Sequence, residues 1–334
     1  MSLAYQDLFE KLNKSVKLLQ KHSDFSYLES LLETGENLND NGQVFVKDGF
    51  PTDELKAKLE KEYKTIQLDD FDPEEIRRAF QLALIKGSKE DYLQPNHQIT
   101  PDSIANFIAY LVEIIVEPGE NLSIADLSIG TGNMLWTIYH FLKNDKRQIT
   151  LSGVDNDELL LSIASMMSAI QGIDTQLIYD DALQNLLLEP VDLMVSDLPV
   201  GYYPVDEQAK KFQTASEDGH SYSHHLLIEQ SLHYLKDGGF GFFIVPYNLF
   251  ETGESQALLR HIQDVGHMQG LIHLNQTMFK NELSRKSILI IQKQAEDSKQ
   301  ASEVLLANAP EFTNTNQMKE FLGEINLWKK EQFN

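Results

Sequence analysis

Four carboxylates in the middle of the chain, Asp126, Asp155, Asp181 and Asp197, stand where ligand chemistry is possible. Asp126 lies within an apolar run, residues 122–129, which leads into Gly130-Thr131-Gly132-Asn133. Two glycines so spaced let backbone come close to a ligand, because neither carries a Cβ. A strand that enters a helix through a glycine turn is a common seat for a phosphate or a nucleoside. The dinucleotide fingerprint asks for a third glycine, and Leu135 occupies that position. A diphosphate is disfavoured on this ground. Asp126 adds a second ground, since a carboxylate repels phosphate and attracts a ligand ammonium. In a nucleoside site, Asp155 after the next apolar run would accept hydrogen bonds from ribose hydroxyls. Asp181 after the third would hold the exocyclic amine of an adenine ring. Ser128, Asn156 and Ala182 adjoin these acids and belong to the same candidate set. A tight strand-to-helix turn without a ligand is the plainer alternative.

The elements that must position these acids alternate from residue 122 onward. Apolar strand runs at 149–154, 175–179, 191–196 and 240–245 are separated by helical stretches such as 134–142, 157–170 and 221–235. Alternation of this kind predicts a parallel sheet with crossover helices. Runs at 270–274 and 287–291 have no helix between them, which predicts a closing hairpin with Lys280, Arg285 and Lys286 on the active edge. The expectation is an α/β fold with a seven-stranded, Rossmann-like sheet, mostly parallel with its last strand antiparallel, behind an N-terminal helical domain. Domains are expected at 1–93 (helical), 94–294 (sheet) and 295–334 (a short strand-like run at 304–307 and a helix around Phe321 and Trp328).

In the helical front, Tyr5, Leu8, Leu12, Val16 and Leu19 recur at helical spacing. Asp24 is a candidate cap for a second helix through Leu32, ended by the polar stretch 35–42, and Pro51 with Asp53 opens a third. Asp72-Pro73-Glu74-Glu75 is a strong start signal for a fourth, which should stop at Gly87. Thr100-Pro101 reads as the cap and first turn of the helix before the first strand.

Composition narrows the class. The chain has 334 residues and no Cys, which removes disulfides, thiolate metal sites and cysteine nucleophiles. Residues 1–7 lack the basic-then-apolar pattern of a signal peptide, and no apolar run is long enough for a membrane span, so the cytoplasm is the expected compartment. The formal net charge of -23 opposes unaided nucleic-acid binding. Asp218, His220, His224 and His225 could suggest zinc, but a polar loop over 212–225 that closes on substrate fits better, and no metal is expected.

Acid, three residues, Gly, any residue, Gly resembles the first motif of class I S-adenosylmethionine-dependent methyltransferases. Asp197-Leu198-Pro199-Val200 resembles the fourth motif of their amino-group branch, usually Asn or Asp, Pro, Pro, aromatic. An amine conjugated to a base is a weak nucleophile. In that motif the acidic side chain and the next carbonyl accept its two hydrogens and aim its lone pair at the methyl group. Proline fixes the backbone that carries those acceptors. The aromatic residue stacks on a flipped base, worth roughly 1–3 kcal/mol. Here Val200 replaces it, and Tyr202 or Tyr203 is expected to supply the platform if Gly201 turns the chain back. Together with the helical front and residues 96–101, the pattern resembles adenine-specific (N6) DNA methyltransferases, most nearly the modification subunit of type I restriction systems, over roughly residues 70 to 310.

The resemblance implies S-adenosyl-L-methionine as cofactor. It implies Thr100 and Pro101 at its methionine end, Gly130, Gly132 and Asn133 in the loop, Asp155 at the ribose and Asp181 at the adenine. The target-amine clamp would be Asp197, Leu198 and Pro199. DNA is the implied acceptor, held weakly by this chain alone. A protein partner or specificity subunit docking on the N-terminal helices is implied, and a homodimer stays open. RNA or protein nitrogen is the alternative acceptor, and a cofactor-binding module without catalysis is the third reading.

Overall fold

A computed structural model describes residues 4–94, 99–116 and 118–333. Residues 95–98, which contribute to the resemblance, lie outside the described residues. Four helices lead: α1 (Ala4–His22), α2 (Tyr27–Asn39), α3 (Asp53–Tyr63) and α4 (Pro73–Glu90), followed by α5 (Asp102–Ile115). The strands are β1 (Asn121–Asp126), β2 (Gln148–Asp155), β3 (Thr175–Tyr179), β4 (Val191–Asp197), β5 (Leu235–Pro246), β6 (Gly266–His273), β7 (Lys286–Lys293) and β8 (Leu305–Asn308). Between them run α6 (Asn133–Leu142), α7 (Glu158–Gln171), α8 (Asp206–Ala209), α9 (Ser223–Tyr234) and α10 (Ser255–Val265), and α11 (Thr315–Phe333) ends the chain.

Strand order is β3-β2-β1-β4-β5-β7-β6-β8. Order reverses between β1 and β4, the switch point where open α/β sheets form a ligand crevice. β7 runs antiparallel to both β5 and β6, so the closing hairpin stands as expected. The sheet has one strand more than the expected seven, because the tail run at Leu305–Asn308 adds to β6 in parallel.

Both faces of the sheet are covered, and the strand sequences show why. Phe242 and Ile244 join one core with Ile288 and Ile290, while Phe243 and Val245 join the other with Leu289 and Ile291. Alternate residues point to opposite faces, so a strand buried on both sides is apolar throughout. The first core is continuous with Leu12, Leu31 and Phe80 of the leading helices. Those helices therefore pack on the sheet layer, with α2 and α4 against α7.

Several helix ends differ from expectation. Ser26 caps α2 in place of Asp24, through a capping box with Glu29. α2 continues through Gly35 because that glycine abuts another helix. A Cβ there would lie 2.4 Å from Met166 Sδ of α7. α4 begins at the Asp72 capping box as expected but passes Gly87, where a Cβ would meet Leu28 Cδ2 at 2.5 Å. At both positions the missing side chain serves close helix packing and does not stop the helix. Pro101 occupies the cap position of α5 and makes no side-chain cap, so Thr100 is not the cap expected of it.

Candidate active site

A cavity of about 990 Å³ opens at the carboxyl edge of β1 and β4, at the upper end of the range for small-molecule sites. β1 supplies Asp126 and the turn after it Ser128 and Gly130; α6 begins with Asn133. β2 ends in Asp155, with Asn156 just after it, the loop after β3 brings Asp181-Ala182, and β4 ends in Asp197, followed by Leu198-Pro199. Thr100 and Pro101 enter from before α5, and Tyr203 and Lys286 complete the wall. Three expected residues are not on it. Gly132 supports the turn from behind, Tyr202 lies outside, half exposed and stacked on Tyr222 at 4.7 Å, and Arg285 lies over the Tyr247 ring at 3.8 Å.

The glycine turn is held by the second acid. Asp155 Oδ2 accepts the Gly130 amide at 2.7 Å, and Oδ1 accepts that of Asp157 at 2.9 Å. Gly130 and Gly132 have φ of 54° and 80°, left-handed conformations that favour glycine. No atom lies within 4 Å of a Cβ built on Gly130, whereas one on Gly132 would meet the Trp136 ring at 2.5 Å. Gly130 leaves space for a ligand, and Gly132 leaves space for a tryptophan.

Asp126 is buried and accepts hydrogen bonds from the Ser196 hydroxyl and, at 2.9 Å, from the Ser128 amide. Burial pushes its carboxyl up to about 7, against those hydrogen bonds, and the charges of Asp155 and Asp197 add to the rise. Asp181 takes the Leu183 amide at 3.0 Å and the Tyr203 hydroxyl. Burial and that bond to Asp181 push the Tyr203 phenol up. Tyr203 thus spends its hydroxyl on the third acid while its side chain lines the cavity, and of the two candidate platforms Tyr202 is the one turned away, onto Tyr222.

Asp197 is doubly anchored. Its Oδ2 accepts Thr100 Oγ1 at 3.0 Å, and its Oδ1 lies 3.4 Å from Lys286 Nζ. The Leu198 amide donates to the Ile244 carbonyl at 3.1 Å, which ties the following turn to β5. Burial pushes the imidazole of His224, which lies near the Pro199 backbone, down to about 3. His225 beside it is pushed down to about 4 by burial. His220, by contrast, is exposed and pairs with Asp206 at 2.9 Å. The segment 212–225 is fastened in part by Glu229, whose carboxylate accepts the amides of Gln213 and Thr214 at 2.9 and 2.8 Å.

Sequence reasoning missed Arg77. Its guanidinium is buried, bonds Glu74 and Asp102, and donates to Asn133 Oδ1 at 2.8 Å. Although burial works the other way, bonds from Arg77 hold Asp102 below the usual carboxylate range. Lys286 was expected on this edge, but its pairing with Asp197 was not. With Asp126, Asp155, Asp180, Asp181 and Asp197 set against Lys280 and Lys286, the cavity wall suits a cationic guest better than a polyphosphate.

Residues 96–332 match the family described as N-6 DNA Methylase, and residues 6–88 match the one described as YtxK N-terminal helical domain. The uncharacterised protein YtxK of Bacillus subtilis (strain 168) is 38% identical over 327 residues, covering 97% of each chain. A Listeria monocytogenes structure assigned to the class I S-adenosylmethionine-dependent methyltransferases is 42% identical, with a TM-score of 0.90 over 98% of this chain and 99% of that one. The methyltransferase subunit of a type I restriction-modification system from Streptococcus thermophilus shares the fold. It is 13% identical, with a TM-score of 0.65 over 96% of this chain and 74% of its own. Sequence along nearly the whole chain and the switch-point cavity agree, and the protein belongs to the N-6 DNA Methylase family, with a YtxK-type helical segment at its front.

Proposed function

We propose that the protein is an S-adenosylmethionine-dependent N-methyltransferase whose acceptor is the N6 amine of adenine in DNA. The observation that carries this reading is the placement of Asp197-Leu198-Pro199 on the same cavity wall as the Gly130 turn and Asp126, Asp155 and Asp181. The residues fit the cofactor chemically. An acidic wall suits a molecule with a sulfonium and an ammonium and no phosphate, and Gly130 leaves room for it. Asp126 would meet the ammonium, Asp155 the ribose, and Asp181-Ala182 the adenine. Bound there, the cofactor supplies an electrophilic methyl group. Asp197 and the Leu198 carbonyl accept the acceptor amine's hydrogens and localise its lone pair. Lys286 and Thr100 fix the carboxylate that does this.

The proposed organisation is a helical part over 1–93, a catalytic part over 94–294 and an extension over 295–334. The charge of -23 means that DNA is engaged with a basic or specificity-giving protein partner, through the helical front. Among the described residues no helix is long and apolar enough to cross a membrane. One observation favours RNA or protein nitrogen as acceptor. Val200 stands where a stacking ring is usual, and Tyr202 stacks on Tyr222 away from the cavity wall.

Calorimetry with S-adenosylmethionine, then transfer of labelled methyl to DNA, RNA and protein extract, tests the reading. Label in N6-methyladenine, lost in Asp197→Ala while cofactor still binds, is the expected result. Label confined to RNA or protein moves the acceptor. Cofactor binding with no transfer to any acceptor removes the catalytic reading.

A further inference from the structure

We infer that Arg77, from the N-terminal helices, is a positioning residue for Asp197, so that α4 sets the geometry of the amine clamp. The inference rests on the reading of Asp197 given above. The Arg77 side chain is 1% exposed, and each of its five N–H groups has a partner. Nε and Nη2 donate to Glu74 at 2.6 and 2.8 Å; Nη1 and Nη2 donate to Asp102 at 3.0 and 2.8 Å. Those four bonds already satisfy the charge. The fifth goes to the neutral amide of Asn133, Oδ1, at 2.8 Å.

That bond has a directional consequence. An amide can turn over and exchange its oxygen and nitrogen, and its neighbours decide which way it faces. A guanidinium N–H accepts nothing, so the oxygen must face Arg77. Nδ2 is then committed to the Thr100 carbonyl at 2.9 Å and to Asp102 Oδ1 at 3.1 Å. Thr100, with its carbonyl fixed, delivers its hydroxyl to Asp197 Oδ2 at 3.0 Å. The connected path is Arg77, Asn133, Thr100, Asp197. It crosses from the helical front to the acid at the end of β4 without a gap. Lysine could not take Arg77's place, because a point charge cannot span two carboxylates and an amide in one plane.

The test is a double-mutant cycle with Arg77→Lys and Thr100→Val, read as kcat for labelled-methyl transfer well below the melting temperature of each variant. Each single change should lower kcat about tenfold, the loss expected for one hydrogen bond to a charged group. The pair should cost about as much as the larger single change, because both cut one path. KM for the acceptor should hold, and Thr100→Ser should restore most of the rate. A pair that costs about a hundredfold, the product of the two, makes the effects independent and overturns the inference. If Arg77→Lys does not fold, Asn133→Ser replaces it in the cycle and leaves the four carboxylate bonds in place.

Crystal structures of wild type and Arg77→Lys give a readout independent of activity. Separation of Thr100 Oγ1 from Asp197 in the variant supports the path, and an unchanged contact with an unturned Asn133 amide overturns it. A wild-type protein that binds no S-adenosylmethionine defeats the functional reading alone, and the two structures still decide whether Arg77 positions Asp197.

Discussion

Asp126 offers the sharpest quantitative test, because its carboxyl is pushed up to about 7 from an ordinary value of 3.8 by burial. The perturbation is Asp126→Asn, which keeps shape and an acceptor for Ser196 but cannot ionise. A raised folded-state pKa means that the folded protein binds the proton more tightly than the unfolded chain. The contribution is complete below the unfolded value and is lost as pH rises through about 7. At about 1.4 kcal/mol per decade, wild type should lose roughly 2–3 kcal/mol relative to the variant between about pH 5 and 7. The wild-type curve alone would mislead. His224 and His225, pushed down by burial to about 3 and about 4, favour the folded state increasingly as pH rises toward the normal histidine value. Their slope opposes that of Asp126 and cancels in the difference between the two proteins. Urea denaturation at half-unit pH intervals supplies that difference. A difference flat to within about 0.5 kcal/mol, the size of an ordinary surface substitution, refutes the account of a carboxyl neutralised by burial. Calorimetry extends the same logic to the ligand. Cofactor affinity should rise severalfold as Asp126 ionises, and the rise should vanish in Asp126→Asn.

Gly132→Ala should destabilise by about 3 kcal/mol or more in thermal or urea unfolding, since left-handed strain of about 1–2 kcal/mol adds to overpacking against a Trp136 ring 2.5 Å away. Gly130→Ala should cost only the strain yet weaken cofactor binding in calorimetry, because its Cβ meets no atom within 4 Å and projects from the cavity wall. Gly87→Ala should lower stability by about 1–2 kcal/mol, the gain in helix propensity being outweighed by overpacking where the new Cβ lies 2.5 Å from Leu28 Cδ2. In ultraviolet titration of wild type against Tyr203→Phe, the phenol should ionise above the normal tyrosine range, and Asp181→Asn should move it back toward that range.

Strand ends and glycine turns were legible because both are local. A run such as Val191–Asp197 needs no partner to announce itself, and an acid at its end falls on the carboxyl edge in any parallel sheet. Thr100 shows where such reading stops. Thr-Pro before an apolar helix is good cap chemistry, yet the hydroxyl goes to Asp197 at 3.0 Å, far along the chain. A hydroxyl facing a half-buried carboxylate gains a charge-assisted bond, stronger than a neutral cap, and no local pattern reports that the carboxylate is near. Gly35 and Gly87 failed for the same reason. Their surroundings are the Met166 and Leu28 side chains of other helices, so a residue that ends a helix in isolation permits close packing here. Arg77 left a fainter mark, a charge next to Ile76 on the buried side of α4. A buried guanidinium must be paired, so that position called for acidic partners. The sequence did contain Glu74 one turn earlier, but Asp102 and Asn133 reach Arg77 only once α5 and α6 are packed beside α4. What local pattern conceals is therefore specific: the side chains that link the helical front to the acid of β4 are those whose partners lie across packed elements, and the coupling between Arg77 and Asp197 belongs to the tertiary structure.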